Sequence, residues 1–236
     1  MDASAYAFVR GLRRTRSTLS AWNSRPWPVL RGWLLGSFAA ASALLLAVWA
    51  IAAISAGPGL ISLRKPPMQV GQWPDVARIL YKNCLVLALH AMACVAGFIA
   101  GSSLPLQAEE HTGLSRAIHE RGGRLAILFV IAATTFSLSA QAYVLGVTVS
   151  HVAFALQVPP GLLLLGLLPH AIPELMALFL PLAAWIIASR RGQWDELLAA
   201  TIVTVALALP VLVLTAIWEV FIAPHLLHAL ISYHGI

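Results

Sequence analysis

Charge is scarce in this chain. Charged residues fill 10% of its 236 positions and hydrophobic residues 60%, whereas a soluble domain is about a quarter charged and about half apolar. With a mean hydropathy of +0.84, the chain has a balance that a bilayer accommodates and a soluble fold does not. Cysteine is scarce too: Cys84 and Cys94 fall in one predicted helix about 15 Å apart, beyond disulfide reach. There is no Gly-rich phosphate loop, no serine-nucleophile motif, no two-histidine zinc-protease motif and no carboxylate pair placed for hydrolysis. The chain is therefore expected to be non-enzymatic and to carry no cofactor. Its formal charge of +6 resides mostly in arginines flanking apolar runs, a topology signal; nucleic acid is not an expected partner. The basic start lacks an apolar run, and the first such run is too long for a cleaved signal peptide.

What is present is a series of long apolar runs. A basic tail, residues 1–31, holds Arg10, Arg13, Arg14, Arg16, Arg25 and Arg31, with Trp22, Trp27 and Trp33 placed as an interfacial belt would be. A transmembrane domain over 32–224 follows, and a short tail over 225–236. The first segment covers about Gly32 to Ala56 and ends at Gly57-Pro58-Gly59, a helix-breaking run. The second runs from about Lys82 to Ser103, with Asn83 placed to cap it. A charged stretch through Glu109, Glu110, His111, Arg116, His119, Glu120 and Arg121 reads as a solvated loop. The third segment, about Leu125 to Ser150, is rich in small residues that suit close packing. The fifth, about Leu197 to Phe221, contains Pro210 and Glu219.

The fourth segment is the most informative. It stays apolar from Pro160 to Ser189, about 45 Å if wholly helical, against about 30 Å of hydrocarbon. Pro169 suits a first helical turn, and Pro173 removes a donor from the ladder. A break near Leu168 is therefore expected, giving a short re-entrant or interfacial half-helix and a spanning helix from Pro169. The fold class that follows is all-α, a polytopic membrane bundle of about five crossings. Loop charge orients it: eleven lysines and arginines fall on the N-terminal side and four, Arg64, Lys65, Arg78 and Lys82, on the other. The N-terminus is thus expected in the cytoplasm and the C-terminus outside a bacterial inner membrane.

Polar residues inside the runs are the candidate site. His170 and Glu174 share a helix face, with Asn83, His90, Gln141 and Glu219 as candidate partners. One reading is a working site for protons, ions, substrate or a docked partner. The plainer reading is a structural lock between helices, since nothing else in the sequence demands transport. Gln141, Tyr143 and Gly146 read as packing positions, and His90 as a satisfied interhelical histidine. Pro169, Pro173, Pro210 and Pro224 mark expected helix breaks. His225 and His228, with Glu219, form a weak zinc pattern.

Three stretches together resemble the stage II sporulation protein M family of bacterial membrane proteins. They are Asn83 opening a segment that contains Gly97, the run Leu168-Pro169-His170-Ala171-Ile172-Pro173-Glu174-Leu175, and Ala216-Ile217-Trp218-Glu219 followed by Phe221-Ile222-Ala223-Pro224. The family usually has glycine after the Pro-His pair, where this chain has Ala171. The resemblance covers segments two to five. It implies roles for Asn83, His170, Glu174, Glu219 and Pro224, and a membrane scaffold that works with cell-wall-degrading partners during sporulation. Related proteins accompany circular bacteriocin production, which implies the alternative of a transport, immunity or export component using His170 and Glu174 as a coupling pair.

Overall fold

The computed structural model describes residues 3–55, 71–103 and 113–233. Among these residues seven α-helices run as α1 (Ala3–Ser24), α2 (Trp27–Ile54), α3 (Trp73–Phe98), α4 (Gly113–Leu156), α5 (Pro160–Arg191), α6 (Leu197–Phe221) and α7 (Ala223–Tyr233). A π-helical turn, Ile99–Ser103, extends α3, and a 3-10 turn, Trp194–Glu196, leads into α6. Five of these helices are long and apolar enough to cross a membrane, and the chain is a multi-pass, all-α membrane protein.

The crossings alternate in direction. Trp73, at the start of α3, stacks edge-on against Phe221, at the end of α6, with ring centroids 5.2 Å apart. At the opposite pole Gly101 lies against the Trp194 indole, and Arg14 of α1 pairs with Asp195 at 2.7 Å. A helix entering from one pole leaves at the other, so α3 and α5 run parallel to each other.

The expected break in the fourth segment is absent. α5 is continuous over 32 residues with Pro169, Pro173 and Pro181 inside it, and it starts where Pro159 and Pro160 set the first turn. Pro169 and Pro173 are exposed on the bundle surface. In a bundle, flanking helices hold such a helix together although its three internal prolines leave the ladder short of three donors. Its length, about 48 Å, is accommodated by tilt or by projection beyond the hydrocarbon. Gly192 ends it in the left-handed region, φ +67°, a conformation glycine adopts without Cβ strain. Pro210 likewise sits inside a continuous α6. Of the four expected breaks only Pro224 marks one, in the first turn of α7.

Other boundaries move outward. α3 begins nine residues before Lys82, at a capping box in which the Gln72 backbone N–H donates to Asp75 Oδ2 at 3.1 Å. Asn83 is therefore well inside the helix and is not its cap. The charged run from Gly113 onward is helical and prolongs α4, as its Glu, Arg and Ala content permits. Glu109, Glu110, His111, Arg64, Lys65 and the Gly57-Pro58-Gly59 run lie outside the described residues. Both tails contain helices, α1 and α7. Trp33, expected in the interfacial belt, is buried with Leu180, Ala184 and Ala200 and meets Trp22 edge-on at 5.2 Å, whereas Trp27 is 65% exposed.

α5 is the axis of the bundle and packs against α2, α3, α4, α6 and α7. Every residue from Ala177 to Trp185 is buried. α2 lies against it along a stripe of Trp33, Ser37, Ala41, Leu44, Val48 and Ala52, the spacing of one helical face. Close approach comes from small residues: a Cβ on Gly36 would stand 3.1 Å from that of Ala183, the small-residue packing typical of helices in lipid.

Candidate functional site

The site grows out of one seam between α3 and α5. On α3 the positions Asn83, Leu87, His90, Cys94, Gly97 and Gly101 recur at alternating steps of four and three, the period that keeps one helix facing a parallel partner. On α5 the matching positions are Glu174, Leu178, Pro181 and Trp185. Asn83 Nδ2 donates to Glu174 Oε1 at 2.7 Å. One step along, His90 Nδ1 lies 2.9 Å from the Leu178 carbonyl and its ring meets Phe179 edge-on at 5.5 Å. Because a carbonyl only accepts, Nδ1 carries the proton. The Cys94 thiol then donates to the Pro181 carbonyl at 3.1 Å. Finally Gly97 leaves room for the Trp185 indole, since a Cβ there would stand 2.6 Å from Nε1.

At the Asn83 end the seam opens into a polar cluster. His170 and Glu174, one turn apart on α5, meet Glu219 of α6, and a ligand atom from each lies within 4.8 Å of the others. His170 is 6% exposed and its Nδ1 is buried without a partner; the two glutamates are half-buried. The Asn83 amide fixes one oxygen of Glu174 and leaves the remaining carboxylate capacity free. The two ion pairs among the described residues are Arg14 with Asp195 and Arg78 with Asp75, so neither glutamate has a basic partner there. Two carboxylates and an imidazole in apolar surroundings can share a proton, hold a cation, or tie α3, α5 and α6 together through hydrogen bonds.

Of the four candidate partners for His170 and Glu174, Asn83 and Glu219 reach the cluster. His90 is two turns away, engaged with α5, and its Nε2 is unpartnered. Gln141 donates to Ser137 Oγ on its own helix at 3.1 Å. Tyr143 is 64% exposed, and Gly146 admits Ile51 of α2, whose Cγ2 would stand 2.6 Å from a Cβ there. His225 and His228 are exposed on α7 and do not join Glu219, because α7 starts after a turn that redirects the chain. Glu174 lies in mid-helix, since α5 starts at Pro160 and not at Pro169, so the N-terminus of its own helix is more than three turns away. Sequence reasoning missed Trp185 and gave Cys94 and Gly97 no part in packing, although the four-three spacing on α3 was there to be read. No family model, curated protein or solved structure matches this chain.

Proposed function

We propose that this is a non-enzymatic protein of the stage II sporulation protein M type, a scaffold in a bacterial inner membrane that docks cell-wall-remodelling partners, with its N-terminus in the cytoplasm. One observation carries the reading. The three stretches on which the resemblance rests are far apart in the chain, with Asn83 and Glu174 separated by 91 positions, yet together they supply every side chain of the polar cluster. The cluster then acts as a lock that holds α3, α5 and α6 in one arrangement and presents their ends to partners. The orientation is supported by the excess of arginine at the pole of Arg14, Arg190 and Arg191.

The test replaces the lock by apolar residues, as in Asn83→Leu with Glu174→Leu. Partner proteins crosslinked to the native chain in cells should no longer be recovered with the double variant, while a variant on the exposed face of α4 recovers them in full. A stably purified double variant that still recruits the same partners removes the lock.

A second reading is a transport, immunity or export component that uses the cluster for coupling. Its support is the surplus of polar groups: a lock needs Asn83 and Glu174, yet Glu219 and the unpartnered His170 are present as well. In proteoliposomes this reading expects proton-linked flux that a well-folded Glu174→Gln protein loses. Flux unaffected by that change excludes the coupling role.

A further inference from the structure

We propose that His170, Glu174 and Glu219 bind a divalent transition-metal ion between α5 and α6. The inference stands apart from partner docking, since the ligand set is complete within one chain. Three side chains of metal-ligating type, one imidazole and two carboxylates, present atoms within 4.8 Å of one another. Bonds of about 2.1 Å in a tetrahedral site put ligand atoms about 3.4 Å apart, a contraction that rotation about the two flexible glutamate side chains supplies.

Three further features point to a cation. His170, 6% exposed, has its Nδ1 buried with no hydrogen-bond partner; of the four such side-chain atoms among the described residues, it is the one that belongs to a residue of the cluster. Neither glutamate forms an ion pair with a lysine or arginine among the described residues, so positive charge must come from elsewhere if both are ionised. Asn83 holds Glu174 Oε1 from α3 at 2.7 Å, as outer partners commonly orient a ligating carboxylate. A mixed set of one nitrogen and two oxygens suits zinc, manganese or iron over calcium or copper(I). Three protein ligands leave at least one coordination position for water or another donor.

The experiment uses the full chain purified in detergent, stripped with chelator, reloaded with Zn²⁺ and desalted. Elemental analysis should find about one zinc per chain in the unaltered protein, a small fraction of that in Glu219→Gln, and an unchanged amount when His225 and His228 are both replaced by alanine. Zinc-edge X-ray absorption on the unaltered protein needs no variant to fold and should report one imidazole among nitrogen and oxygen ligands at about 2.0–2.2 Å. The proposal is overturned if the unaltered protein retains no stoichiometric zinc, which leaves a shared proton at the cluster. It is equally overturned if Glu219→Gln retains as much zinc as the unaltered protein, or if two imidazoles surround the ion.

Discussion

α5 and α4 are both long apolar helices, yet they serve the bundle in opposite ways. In the most apolar stretch of α5, 56% of residues are buried inside the protein, against 11% in α4. α5 carries three internal prolines, a histidine and a glutamate, while α4 turns Leu125, Leu128, Phe129, Phe136 and Phe154 outward. Lipid is as apolar as those side chains, so exposing them carries no penalty. Apolarity alone therefore does not identify the core in a bilayer. What separates the two helices is where their side chains point: α5 turns His170, Leu178 and Phe179 into the bundle, whereas α4 turns large apolar side chains outward and satisfies Gln141 on its own helix through Ser137. Within α4 the exception is its contact stripe, Ala142, Gly146, Val149 and Ala153, where small residues let α2 approach.

That contrast can be broken by substitution, read as thermal stability in detergent. The two largest effects are expected along α5 and are similar in size, the first from Phe179→Ala, at a position 0% exposed. The transfer share of the usual penalty falls away in lipid, and the cavity share, about 2 kcal/mol for roughly 100 Å³, remains. Next comes Gly97→Leu, which drives a side chain into the Trp185 indole and should cost about 1–3 kcal/mol; Gly146→Leu should behave similarly at Ile51, in an otherwise tolerant helix. Asn83→Ala removes one interhelical hydrogen bond and should cost about 1 kcal/mol. Phe136→Ala, at a position 77% exposed, should change stability by less than about 0.5 kcal/mol. A Phe136→Ala loss as large as that of Phe179→Ala would mean that α4 is covered by protein and not by lipid.

The five crossings were legible because hydropathy over a span is a summed property, insensitive to single residues. Their ends were not, because caps such as Gln72 and Asp75 lie outside the apolar window that reveals a span. Pro169 and Pro173 misled for a different reason. The rule that proline breaks a helix applies where the freed groups and the ring must be accommodated by one helix alone, and α5 is flanked by five others. At the site, the shared face of His170 and Glu174 followed from four-residue spacing. That Asn83 and Glu219 meet them, while His90 and Gln141 do not, depends on helix order and rotation, which no local pattern encodes. The zinc pattern at His225 and His228 failed because Pro224 and the turn at Ile222 start a new helix, carrying both imidazoles to the surface.

The seam between α3 and α5 also reads out register. Each level holds a different pairing: an amide with a carboxylate, an imidazole with a carbonyl, a thiol with a carbonyl, and a glycine with an indole. Sliding α3 by one turn in one direction would set Leu87 beside Glu174, so a carboxylate would lose its donor; sliding it the other way would set Cys94 beneath Trp185, so an indole would lose its space. Either slip therefore breaks at least one rung. During assembly, helices that arrive separately in the bilayer thus have one alignment in which every rung agrees, and a slip is detected at the polar cluster in one direction and at the far end of the seam in the other.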